Sequence, residues 1–304
     1  MKNLKHNAMA VLLLAAAFLM CVACDKENDN PGNETPATPQ AKISRVYKTS
    51  ATLVERYNET TEAWDTVMFL PGRRRVVMEM FWDGDRIDSV ASLEVFFSLH
   101  YDSNGRLSTI DGEGSLGVFA RNTAIGYDAQ GRILHVDVTN IDDGGDTLYG
   151  EQHDYNWADG ILNSIASRVT HADGDYDPNG TREDSRLFTW AGGNISSSVR
   201  HEIHFGGTDT TTTYNYEYSS TPNPLYGITY LQLLHKTIFY GFDPVEGYCK
   251  KLPSRIYNDN LDRTYEYTLS GDRITAVHEV FASLNGGNRY TAIADYEIEY
   301  AEEN

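Results

Sequence analysis

Tyr101-Asp102-Ser103-Asn104-Gly105-Arg106-Leu107 and Tyr127-Asp128-Ala129-Gln130-Gly131-Arg132-Ile133 share one form: an aromatic residue, a short Gly-bearing turn with a polar residue or two, and an Ile or Leu. Gly in such a turn supplies the positive φ that a tight hairpin requires. The aliphatic residue then opens a new strand. Working outward, the same form recurs as Trp82-Asp83-Gly84-Asp85-Arg86-Ile87, Trp157-Ala158-Asp159-Gly160-Ile161-Leu162, Trp190-Ala191-Gly192-Gly193-Asn194-Ile195 and Tyr267-Thr268-Leu269-Ser270-Gly271-Asp272-Arg273-Ile274. A turn that returns at intervals along the chain marks a repetitive architecture.

The segments between the turns are rich in Val, Ile, Thr, Tyr and Phe, and they alternate. Ala294, Tyr296, Ile298 and Tyr300 share one face, with Asp295, Glu297 and Glu299 on the other; Tyr214, Tyr216 and Tyr218 share a face opposite Asn215 and Glu217. Period-two patterning describes strands buried on one side. No helical stripe interrupts them. The fold class expected is all-β: an antiparallel hairpin meander, curled into a barrel-like form or a strongly rolled sheet, the usual answer to open sheet edges. No linker-like break divides residues 42–304, so they are read as a single repetitive β domain.

Ahead of this domain, Lys2 and Lys5 precede an apolar run from Ala8 to Met20, the composition of a secretory signal and too short for a spanning helix. Cys21-Val22-Ala23-Cys24-Asp25 resembles a bacterial lipobox, with Cys21 where that pattern has Leu. The resemblance implies a lipoprotein signal peptide over 1–23 and lipid on Cys24. Residues 24–41 hold three Pro and no aromatic residue, the composition of a flexible linker. Acidic residues directly behind Cys24 also resemble the surface-export signal of Bacteroidetes lipoproteins. Of the three cysteines, Cys249 then stands alone, and no disulfide is expected. Residues 1–23 contribute two lysines and no acid, which leaves 23 basic against 44 acidic residues, a net charge of −21. Such a chain repels phosphate backbones, so nucleic acid is not an expected partner.

Two wider resemblances follow from these motifs. The Tyr-Asp-x-x-Gly-Arg-Leu turns look like the YD repeats of bacterial surface and toxin shells. The Tyr-rich strand Tyr214 to Tyr218, the loop Ser220-Thr221-Pro222-Asn223-Pro224-Leu225-Tyr226-Gly227 and Leu252-Pro253-Ser254-Arg255-Ile256 resemble, in their order, a family of gut Bacteroidetes lipoproteins of unknown function with a porin-like β fold. This resemblance implies the fold and an outer-membrane location. It brings no catalytic residues.

Function is sought where the repeat fails. Trp82, Trp157 and Trp190 recur at one repeat position and are expected to cover hairpin ends. The non-repeating aromatics Trp64, Tyr226, Tyr230, Phe239, Tyr240 and Phe242 are the ligand-binding candidates, most of them within the irregular stretch Thr221 to Pro253. From Asp175, the order Asp175-Tyr176-Asp177-Pro178-Asn179-Gly180 matches the first half of a calcium loop, with Asp173 and Glu183 as further oxygen donors. Its twelfth position is Arg186, where a bidentate Glu belongs, and a plain acidic hairpin tip stands as the alternative. The two histidines of His201-Glu202-Ile203-His204 fall on opposite faces of a strand. Neither a nucleophile elbow nor a phosphate loop occurs, so no enzyme is expected. The expected protein is a lipid-anchored outer-membrane module, on the cell surface or the periplasmic face, binding a glycan or a peptide or scaffolding other membrane proteins. A purely structural or assembly role, a hydrolase and a membrane-embedded barrel are the alternatives.

Overall fold

A computed structural model describes residues 42–92, 95–114, 119–142, 144–172, 181–223, 226, 248–271, 273–285 and 288–301. Its local logic is set by the turn. The Asp102 carboxylate accepts the amides of Asn104 at 2.8 Å and Arg106 at 2.9 Å, and its other oxygen takes the Arg106 guanidinium at 2.8 and 2.9 Å. Asp128 repeats this on Gln130 and Arg132. Gly105 and Gly131 sit at φ 79° and 80°, where a side chain would be strained. Each turn is thus closed by its own residues, before any tertiary contact.

The turns join seventeen strands, and the described residues hold no α-helix. The strands are β1 Ile43–Asn58, β2 Ala63–Pro71, β3 Arg75–Asp83, β4 Arg86–Ser92, β5 Val95–Tyr101, β6 Leu107–Gly114, β7 Phe119–Tyr127, β8 Ile133–Asp142 and β9 Thr147–Ala158. They continue as β10 Ile161–Ala172, β11 Thr181–Ala191, β12 Asn194–His204, β13 Asp209–Pro222, β14 Lys251–Tyr257, β15 Leu261–Ser270, β16 Arg273–Asn285 and β17 Asn288–Tyr300. From β3 to β17 each pairs antiparallel with the next, and β17 returns to pair with β1 from Ile43↔Tyr300 to Arg56↔Asn288.

Both β2 and β3 lie against β1, the first over Ala51–Asn58 and the second over Arg45–Lys48. They form one interrupted stave, so the barrel closes with sixteen. Gly72 sits at the interruption, where a Cβ would lie 1.7 Å from the Ser50 carbonyl oxygen. The expected meander is therefore a closed barrel, and the remedy for sheet edges is closure itself.

One wall face is dry. Val46, Val90, Leu162, Ile195 and Leu252 are fully buried, and a single apolar cluster includes residues from Ile43 through Tyr296. A freely open barrel of this size would leave its lumenal side chains wetted, so the interior near the turns is filled. The opposite face carries charge: Arg74 clasps Glu297 at 2.9 and 3.1 Å, Arg255 holds Asp262 at 2.7 and 2.8 Å, and His278 meets Asp295 at 2.6 Å. Farther from the turns the inner face becomes polar, with Glu279 held by Tyr296 and Arg263, and Asp184 by Arg200.

The strand-end aromatics lock neighbouring hairpins together. Each donates its polar hydrogen to a backbone carbonyl near the start of the preceding hairpin: Trp82 to Ile43 at 2.7 Å, Tyr101 to Ile87 at 2.7 Å, Tyr127 to Leu107 at 2.6 Å, Trp157 to Ile133 at 2.8 Å, Trp190 to Leu162 at 2.8 Å, Tyr267 to Pro253 at 2.8 Å and Tyr300 to Ile274 at 2.8 Å. The repeat's basic residue then covers the ring, with Arg86 over Tyr101 at 5.4 Å, Arg106 over Tyr127 at 4.7 Å, Arg132 over Trp157 at 5.2 Å and Arg273 over Tyr300 at 5.3 Å. The role expected for Trp82 and Trp157, covering hairpin ends, is the one they have.

Two outcomes follow from these contacts. Tyr127→Phe removes the donor to Leu107 and leaves that carbonyl unpaired, at a cost of about 1 kcal/mol. Its melting temperature falls by about 2–4 °C, whereas Tyr57→Phe, at a ring 45% exposed, leaves it unchanged; equal melting temperatures would refute the lock. The second concerns acid. The Arg106 amide and guanidinium lower the Asp102 carboxyl, and the Arg132 amide and guanidinium lower Asp128 despite its partial burial. Arg255 does the same for Asp262, and Arg74 for Glu297. Depressed folded values mean that the unfolded chain binds more protons, so this stability is present above about pH 4 and is lost as pH falls through the folded values. Urea melts from pH 6 to pH 3 should show that loss, with a shallower slope in Asp102→Asn/Asp128→Asn.

Candidate ligand-binding hollow

The rim of turns is regular until Trp157. There the residue at the repeat's basic position is Ile161, not Arg. The next lock aromatic, Trp190, still donates to Leu162, but no guanidinium reaches its ring from that position. Asn194 stands at the basic position of the following turn, and it also takes a different task. Its side-chain oxygen accepts the Lys251 amide at 2.9 Å, while the Lys250 amide donates to Gly193 at 3.1 Å. These bonds seat the return of the irregular stretch against the rim.

The departure of that stretch is tied to the same place. The Asn223 side chain donates to the Cys249 carbonyl at 2.9 Å, its amide to Lys250 at 2.8 Å, and Tyr226 turns back onto the Asn223 carbonyl at 3.1 Å. Tyr248 and Cys249 enter the apolar core, and the Trp157 and Tyr248 rings meet edge to face at 5.3 Å. The Cys249 thiol is fully buried, 3.3 Å from the Tyr218 hydroxyl.

A hollow of about 130 Å³ results, lined by Ile161, Trp190, Gly192, Gly193, Tyr226, Tyr248 and Lys250 with Ala191. Its lining is mixed: the Trp190, Tyr226 and Tyr248 rings and Ile161 stand beside polar groups, among them the cationic side chain of Lys250. Gly192 and Gly193, at φ 57° and 73°, leave backbone rather than side chain on one wall. The space suits a single ring, and is smaller than a pocket for a drug-sized molecule. Trp190 was expected to be scaffold alone. It is scaffold by its indole N–H and lines a surface hollow by its ring.

No protein-family model and no curated protein matches the chain. Solved structures do match. A porin-like protein from Bacteroides vulgatus ATCC 8482 superposes with a TM-score of 0.50 at 11% identity, over 86% of this chain and 100% of that one. The two share a fold. A porin-like protein from Bacteroides uniformis ATCC 8492 gives a TM-score of 0.43 at 14% identity, over 84% and 96%.

The remaining candidates fall elsewhere. Trp64 begins β2 at the end of the barrel away from the turns, so it and Tyr226 do not form one site. Its ring meets Tyr57 edge-on at 5.5 Å and lies under the Arg289 guanidinium at 5.2 Å. Tyr230, Tyr240 and Phe242 lie outside the described residues, as do Cys24, Asp173, Asp175, Asp177 and Asn179. Glu183 is exposed and pairs with Arg182 at 3.3 Å, while its neighbour Asp184 is committed to Arg200. Among the described residues no three His, Cys, Asp or Glu side chains gather as a metal site.

One constellation escaped the sequence reading. His153 lies 2.7 Å from the Ser167 hydroxyl through Nδ1 and 3.3 Å from Glu151 through Nε2. Its members come from two strands and only register brings them together, Ser167 opposite His153. Ser167 is also paired on its other side, to Asp184. A hydroxyl in mid-ladder has no free backbone amides beside it to stabilise an oxyanion, and the trio serves to satisfy polar groups inside the wall.

Proposed function

We propose that this chain is a lipid-anchored lipoprotein of the outer membrane whose barrel presents a small-ligand site at the Trp190–Tyr226 hollow, with a glycan ring as the ligand class. The observation that carries the reading is the substitution of the repeat's cation by Ile161, which leaves the Trp190 ring beside a hollow rather than beneath a guanidinium. A flat aromatic face next to aliphatic and backbone walls suits the apolar face of a sugar, and the Lys250 ammonium suits its oxygens or a carboxylate. The Cys21-Val22-Ala23-Cys24 sequence supports the anchor. The charged outer wall supports a barrel standing in water, because guanidinium–carboxylate pairs on a lipid-facing surface are costly. In this reading the molecule binds and does not catalyse.

The test restores the repeat. Ile161→Arg places a guanidinium over Trp190 and fills the hollow. On a glycan array with thermal-shift confirmation, the full chain should show sugar ligands that Ile161→Arg loses, while the melting temperature of the variant stays level or rises. Undiminished binding by Ile161→Arg would show that the hollow is not the site, and an array without any ligand would favour the structural or assembly role. The anchor is tested separately. Cys24→Ala should move the protein from the membrane fraction to the soluble one; retention in the membrane would refute lipidation.

A further inference from the structure

Strand β2 is built unlike the rest of the wall. Val67, Met68, Phe69 and Leu70 are 53%, 43%, 59% and 53% exposed, four consecutive apolar residues open on both faces. Elsewhere the alternation puts one face of each strand in the core. The cause lies in the ladder. On one side β2 pairs with β1, from Asn58↔Ala63 to Ala51↔Pro71. On the other, the pairing of β3 with β4 begins only at Glu79↔Ala91, and β4 ends at Ser92. Among the described residues no strand pairs with the outer edge of β2. An open, apolar edge is a template for another strand, and proteins normally blunt one with charge inside it. Here the charges lie outside the apolar stretch and are segregated by sign. Glu59, Glu62 and Asp65 precede it; Arg73, Arg74 and Arg75 follow it, in a chain whose net charge is −19.

We infer that β2 is a self-association edge, and that its occupant is β2 of a second copy of this chain, paired antiparallel. A two-fold axis at Met68–Phe69 sets Val67–Leu70 against Val67–Leu70 of the other copy. It also lays each acidic start beside the other's Arg73 and Arg75, while Arg74 stays on Glu297 of its own chain. A parallel arrangement would instead oppose like charges. Pro71 lacks an amide and Val67 is bulged out of the β1 register, which confines the new ladder to a short run. An interface of this size falls at the low end for specific complexes, so the dimer forms in a concentration-dependent way. Antiparallel pairing also sends the two Lys42 ends in opposite directions, so the pair bridges two surfaces rather than joining neighbours on one.

Sedimentation velocity on the purified full chain, over a range from micromolar to millimolar, tests this. The expected result is a monomer–dimer equilibrium that Phe69→Lys abolishes, with circular dichroism and melting temperature unchanged at this exposed position. Asp65→Arg alone should weaken the dimer about tenfold, and Asp65→Arg/Arg73→Asp should restore it, because the swap re-creates the complementary pair. A monomer throughout the range overturns the inference. So does a dimer indifferent to Phe69→Lys, or one that Asp65→Arg/Arg73→Asp fails to recover. Sedimentation of the monomer with neutral phosphatidylcholine vesicles, lost in Phe69→Lys, would assign the edge to lipid and overturn it as well.

Discussion

The hydrogen bond from a strand-end ring to a backbone carbonyl of the preceding hairpin is the constraint on which this barrel depends. A hairpin meander has no intrinsic reason to hold successive hairpins at a fixed height, since each turn is satisfied by itself. The lock aromatics provide that reason. Tyr127 reaches past its own turn to Leu107, and Trp157 to Ile133, so each hairpin is registered against its predecessor by a directional bond. The hydroxyl of Tyr127, pushed up to about 12 mainly by burial, stays protonated across the physiological range and so keeps its role as donor. Tyr101, raised for the same leading reason, does likewise.

At Tyr101, Tyr127, Trp157 and Tyr300 the guanidinium over the ring couples this lock to the turn that supplies it. Asp102 fixes the Arg106 guanidinium, and that guanidinium lies over Tyr127. Asp128 fixes Arg132, which lies over Trp157. An acidic residue in one turn thus acts on the aromatic of the next through a chain of three side chains. Exposed ion pairs contribute little by themselves, but here the carboxylate also takes two turn amides, so its effect is to orient rather than to attract. That accounts for a repeat in which Asp, Gly, Arg and the aromatic all recur together: losing one would loosen the positions of the others.

What the sequence disclosed follows the range of the interactions. The turns at Tyr101 and Tyr127 were legible because Asp102 and Asp128 act within four residues of themselves. The alternation around Tyr296 was legible because burial of one face imposes it along a single strand. Closure was not, since β1 meets β17 across nearly the whole chain, and nothing near Ile43 names Tyr300 as its partner. The interrupted stave at Gly72 was hidden for the same reason. Trp64 and Tyr226 looked alike as aromatics outside the repeat, yet an antiparallel chain alternates ends with every strand, and they belong to opposite ends. The network of Glu151, His153 and Ser167 depends on the register of two strands and left no trace in residue order.

The hollow, by contrast, was written in the repeat, at the position where a basic residue fails to appear. Ile161 occupies the place of Arg106 and Arg132, and Asn194 that of the next. Both exceptions serve one outcome. The first removes the cover from Trp190, and the second gives the irregular stretch a fixed point at Lys251. Were the stretch merely a long connection between β13 and β14, neither exception would be required, because a loop can depart from a rim whose rings remain covered. Their occurrence in adjacent turns, with Tyr226 and Tyr248 lining the same hollow as Trp190, makes the failure of the repeat a built feature, and it is there, rather than at the acidic tip or at Trp64, that the proposed ligand site stands.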